Sequence, residues 1–139
     1  MKKSICLCLM CIVSIILIVS LISCSNQKDK LIGTWEGVRD KTLSLDSNSE
    51  MLNNMNKLQK NIVQKMISNI KFQFKKNEFM LKMGDKTEKH KYEIKSSNDN
   101  DLNVILDNDD KIKVKFKNKN EAIFKGASDK LNFYMRKTN

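Results

Sequence analysis

Beyond Cys24 the chain contains no cysteine, since Cys6, Cys8, Cys11 and Cys24 all fall in the first 24 of its 139 residues. The rest can form no disulfide, thiolate metal site or cysteine nucleophile, so its stability has to come from burial. Histidine is nearly as scarce. His90 is the only one, it stands between lysines and reads as a solvated strand residue, and no motif pairs it with a serine or aspartate. A non-enzymatic protein with no cofactor and no bound metal is therefore expected. Arginine occurs only at Arg39 and Arg136. Nucleic-acid recognition leans on arginine with clustered aromatics, so no nucleic-acid partner is expected either, despite a net charge of +10. Proline is absent while Lys and Asn abound, a bias that fits AT-rich coding at solvated positions. A basic domain also suits an anionic membrane surface or a cell-wall polymer.

What the chain does have is a long apolar run at its start. Lys2 and Lys3 precede an apolar stretch from Ser4 to Ser20, which ends at Leu21-Ile22-Ser23-Cys24. This is the layout of an export signal. An uncleaved transmembrane helix is the alternative, because roughly 20 apolar residues also span a bilayer, but no basic stop-transfer cluster follows. Residues 21–24 resemble the lipobox of bacterial lipoproteins. The resemblance implies a diacylglycerol on the Cys24 thiol and cleavage of the peptide bond before it. Residues 1–23 are then a signal, 24–30 a lipidated polar tether, and 31–139 the working domain of a membrane-anchored envelope protein. Loss of Lys2 and Lys3 with the signal lowers the net charge from +10 to +8, since no Asp or Glu precedes Cys24. Ser25 carries no aspartate retention signal, which leaves outer-membrane or cell-surface sorting open.

Periodicity organises the remainder. Residues 31–38 read as a first strand with Gly33, Trp35 and Gly37 on one face, where the glycines allow a neighbour to approach the indole. Residues 39–46 are polar and irregular. Ser47-Asn48-Ser49-Glu50 fits a capping box. Met51, Met55, Leu58, Ile62 and Met66 then recur at helical spacing, as one amphipathic helix over about 47–70 or as two with a break near Asn61. From Lys71 the period switches to two. Strands centre on Phe72 and Phe74; Phe79 and Leu81; Tyr92 and Ile94; Val104; Val114 and Phe116; Phe124; and Phe133, with polar turns between them. Eight antiparallel strands with one apolar face either close into a barrel or form a half-open barrel covered by the helix. The acidic run Asp99, Asp101, Asp107, Asp109 and Asp110 has the oxygen alternation of a calcium loop. It lacks the glycine and distal glutamate of an EF-hand and equally suits hairpin turns.

Gly33-Thr34-Trp35 in the first strand, the run of hairpins and Arg136 in the last strand resemble the lipocalin-like calycins, notably small bacterial lipocalin-like lipoproteins. The resemblance implies a barrel in which Arg136 packs across Trp35 in a cation–π contact, and a helical insert serving as a lid. It also implies a small apolar ligand held among inward residues, with Trp35, Phe72, Phe74, Phe79, Tyr92, Phe116 and Phe133 as candidates. The same residues equally describe a filled core. In that case the protein is an interaction lipoprotein that binds an envelope or host protein, or a cell-wall partner, through its outer face.

Overall fold

A computed structural model describes residues 27–98, 100–126 and 131–138, without the side chains of residues 96 and 97. The expected export signal and lipobox, the expected attachment point Cys24, and Asp99 lie outside the described residues. The chain divides into Met1–Lys30 and Leu31–Asn139. Of the first unit residues 27–30 are described, and they are helical.

The second unit is an eight-stranded antiparallel barrel, closed in sequence order from β1 to β8. Its strands are β1 (Gly33–Gly37), β2 (Ile70–Phe74), β3 (Glu78–Met83), β4 (Lys86–Ser97), β5 (Asp101–Leu106), β6 (Lys111–Asn118), β7 (Glu121–Lys125) and β8 (Asn132–Lys137). Period-two alternation produces them: β5 buries Leu102, Val104 and Leu106 between half-exposed neighbours, and β7 buries Ala122 and Phe124. Such strands turn one apolar row inward and one polar row to water; β3 departs from this, with Met80 buried beside Phe79. Closure pairs Trp35 with Lys137, Glu36 with Arg136 and Gly37 with Met135, which leaves no open edge. The core runs from Leu31 to Met135. Among the described residues every strand and every member of the apolar core cluster lies inside Leu31–Asn139, which carries a complete barrel core of its own.

Between β1 and β2 the structure has three helices, two of them in the stretch expected to hold one helix or two, and a short one before it. They are α1 (Arg39–Leu43), α2 (Asp46–Asn53) and α3 (Lys57–Asn69), so the stretch expected to be irregular opens with a short helix. The break falls at residues 54–56 and not near Asn61. The expected Ser47–Glu50 capping box does not form, because α2 is capped by Leu45 without a side-chain hydrogen bond. The capping box belongs to α3, where Asn56 Oδ1 accepts from the Gln59 amide and Gln59 Oε1 accepts from the Asn56 amide, both at 2.9 Å. The apolar stripe divides accordingly. Ile67 and Ile70 are buried, whereas Leu58 and Ile62 stand 68% and 59% exposed.

β1 is short, and the insert closes the seam it leaves beside β8. The Val38 amide donates to the Tyr134 carbonyl at 2.8 Å. One turn on, Thr42 Oγ1 accepts from the Tyr134 amide at 3.0 Å and donates to its carbonyl at 3.2 Å. Asn48 repeats the pattern: its Nδ2 donates to the Asn132 carbonyl at 2.8 Å and its Oδ1 accepts from the Asn132 amide at 2.9 Å. Two buried side chains therefore stand in for strand backbone and satisfy the upper part of β8. Gly37 sits where the C-terminal end of α3 crosses β1. A Cβ there would collide with the Ile67 carbonyl oxygen and approach the Ile70 side chain to 2.9 Å, so the helix seats only against glycine.

Candidate functional site

The inward side chains divide into a packed base and an open mouth. In the base Trp35 is fully buried. Its ring lies 5.3 Å from Phe124 and 6.1 Å from Phe116, and its indole N–H donates to the Leu31 carbonyl at 2.8 Å. Phe74 continues the packing, 4.8 Å from Phe79 and edge-on to Tyr92 at 5.4 Å. The Tyr92 hydroxyl donates to the Lys75 carbonyl at 2.7 Å, and burial pushes its pKa up. Aromatic pairs at these separations are attractive beyond simple area burial. None of these four rings, Trp35, Phe74, Tyr92 and Phe116, lines the cleft described below.

The expected Trp35–Arg136 contact does not form. Strand phase decides it: Lys137 pairs with inward Trp35, and Arg136 pairs with outward Glu36. The Lys137 ammonium lies 5.6 Å from the Trp35 ring centroid, the cation–π contact expected of Arg136. Burial lowers the Lys137 pKa, with a smaller contribution from Lys119. Arg136 turns outward to Glu121 at 3.4 Å. Glu121 also accepts from Lys41 Nζ at 2.7 Å, Asn118 Nδ2 at 3.0 Å and the Tyr134 hydroxyl at 3.0 Å. These donors, Lys41 first, hold its carboxyl down to about 2 and tie α1 to β7 and β8.

At the other end, where the β3–β4, β5–β6 and β7–β8 connections lie, the barrel opens into a cleft of about 460 Å³. Phe72, Phe79 and Phe124 form its floor, being at once the top of the aromatic pack and part of the cleft lining. Leu81, Ile112, Leu131 and Phe133 are among its apolar walls, and Glu88, His90, Asp110 and Lys111 bring charge and polarity to its rim. Of the seven expected ligand contacts, the cleft lining includes Phe72, Phe79 and Phe133. Trp35, Phe74, Tyr92 and Phe116 belong to the base and lie outside the lining. The helical insert, expected as a lid, supplies none of the described residues that line the cleft.

His90 is not the solvated strand residue expected of it. Its side chain is 21% exposed and lines the cleft, with Nδ1 2.9 Å from Asp107 Oδ1. The alternation that carries Tyr92 inward extends two and four residues back to His90 and Glu88, and that signal is present in the sequence. Asp107 Oδ2 accepts from the Lys91 amide at 3.1 Å. This bond and the one to His90 hold the Asp107 carboxyl below the usual carboxylate range. In the adjoining hairpin, Asn108 Oδ1 accepts from the Asp110 amide and Asn108 Nδ2 donates to Asp110 Oδ2, with Asp109 at a φ of 66°. The acidic run thus does the work of a turn. Among the described residues no cluster of His, Cys, Asp or Glu is arranged to hold a metal ion.

No protein-family model matches the chain, no curated protein is significantly similar to it, and no solved structure matches it.

Proposed function

We propose that this protein is a lipid-anchored lipoprotein of the cell envelope whose lipocalin-like barrel holds a small apolar ligand in its mouth, without enzymatic activity. One observation carries the ligand-binding part. The barrel is packed with aromatics at its base, yet it keeps a cleft of about 460 Å³ with mainly apolar walls at the opposite end. Small-molecule sites occupy roughly 300–1,000 Å³ and combine apolar walls with a few polar groups. The anchoring part rests on the resemblance of Leu21-Ile22-Ser23-Cys24 to a lipobox. Nucleic acid is no part of this reading.

Native mass spectrometry of Leu31–Asn139, purified from cells without detergent, tests the binding claim. A co-purifying small apolar mass that leaves on denaturation is expected. A bare domain that also fails to brighten an apolar dye contradicts the claim. For the anchor, labelled palmitate should enter the full chain and fail to enter the Cys24→Ala variant.

A second reading has its own support. Leu58 and Ile62 are exposed on α3 and line a groove of about 440 Å³ together with Arg39 and Lys65, which suits an interaction lipoprotein that docks an envelope or host protein. Loss of capture in a Leu58→Ser/Ile62→Ser variant, with dye binding intact, would favour that role.

A further inference from the structure

The rim of the cleft has a chemical bias that narrows the kind of ligand, given that the cleft is a ligand site as proposed above. An ionised carboxylate only accepts hydrogen bonds, so the proton between Asp107 Oδ1 and His90 Nδ1, 2.9 Å apart, belongs to the imidazole. The other ring nitrogen, Nε2, lies on the side of Glu88, 4.0 Å from Oε2. Glu88 and Asp110 add two carboxylates to the lining, and Lys111 adds one ammonium beside Asp110. The surrounding protein is strongly basic, at +10, but this rim is not. Two carboxylates face one ammonium around an apolar well.

We propose that the cleft takes an amphiphile whose apolar body rests on Phe72, Phe79 and Phe133 and whose head group is a hydrogen-bond donor or a cation, an amine in preference to a carboxylate. A head group placed at the rim meets the carboxylates of Glu88 and Asp110. An ammonium or hydroxyl satisfies them, whereas a carboxylate finds only Lys111 and is repelled by its neighbours. The net positive charge of the protein does not reverse this preference, because at physiological salt exposed charges are screened beyond about 8 Å. Exposed charge pairs contribute little individually. The expected discrimination is therefore modest, roughly five- to tenfold between amine and carboxylate.

The test uses Leu31–Asn139, with a cooperative melt as the check on folding, and a neutral naphthyl dye displaced by octylamine, octanol and octanoate, which share one chain length. Octylamine should displace the dye at roughly five- to tenfold lower concentration than octanoate, with octanol between them. The Glu88→Gln/Asp110→Asn variant should lose the preference, read as the ratio of octylamine to octanoate concentrations that displace half of its own bound dye. Octanoate binding as well as or better than octylamine overturns the inference while the cleft stands as a ligand site. So does a preference that survives in the double variant. Failure of the dye itself to bind overturns the cleft as a ligand site, and the head-group inference with it.

Discussion

The base and the mouth of the barrel are built from the same strands in the same alternation, yet one end is solid and the other hollow. The difference comes from what the inward positions hold. Toward the base the inward residues are large and aromatic: Trp35, Phe74, Tyr92 and Phe116, with Phe124 in contact with both Trp35 and Phe74. Toward the mouth the inward row continues as Glu88 and His90 on β4 and as Ile112 on β6. Polar groups there keep water nearby, and aliphatic groups are too few to fill the lumen. An eight-stranded barrel is wide enough for either outcome, so side-chain size and polarity select between packing and vacancy at each level. The seam between β1 and β8 shows a similar division. Backbone ladders close it at the base, and the side chains of Thr42 and Asn48 close it at the mouth.

The solid end is where a single substitution should do most damage. Trp35→Ala should hollow the base and cost about 3–5 kcal/mol, a large share of the stability of a domain this size, read from the midpoint of chemical denaturation. Asn48→Ala attacks the side-chain half of the seam. It strands the Asn132 amide and carbonyl and the Thr42 carbonyl, to which Asn48 Nδ2 also donates at 2.8 Å. A loss of about 1–3 kcal/mol is expected by the same measurement, with faster amide exchange at Asn132.

Acid should have a smaller effect, on the outer brace and not on either end. The Glu121 carboxyl is held at about 2 in the folded protein, against 4.5 for an unperturbed one. A depressed folded value means that the ionised form is favoured by folding. Its contribution is full above about pH 4.5 and fades as pH falls toward about 2. Glu121→Gln should therefore flatten the dependence of melting temperature on pH within that window and leave the region above it parallel to wild type.

Much of this architecture is legible in the chain. Alternation from Lys71 onward identifies the strands and nearly all inward residues, because a half-buried strand must alternate. The phase of the last strand also argues against Arg136, which sits opposite in phase to Phe133 and Met135. Pairing adds that Lys137 faces Trp35, and register across a closing seam is a non-local property. The helical insert is ambiguous for a local reason. Two capping signals compete there, Ser47–Glu50 and Asn56–Gln59, and the apolar spacing runs through both. Tertiary contacts decide, since Asn48 is drawn away to pair with Asn132. Which aromatics border the cleft depends on where the filling stops along the barrel axis, and this comes from summed side-chain volume and not from any motif.

Ligand binding requires the mouth to be hollow and apolar enough to take a guest. The most direct test is dye binding to Leu31–Asn139 carrying Leu81→Trp, a half-buried position in the cleft wall. An indole added there should occupy the space, reduce dye affinity by roughly tenfold or more, and cost no more than about 1–3 kcal/mol of stability. Undiminished dye affinity in a folded Leu81→Trp protein would contradict a ligand site in the mouth, because binding would then lie somewhere other than the cleft.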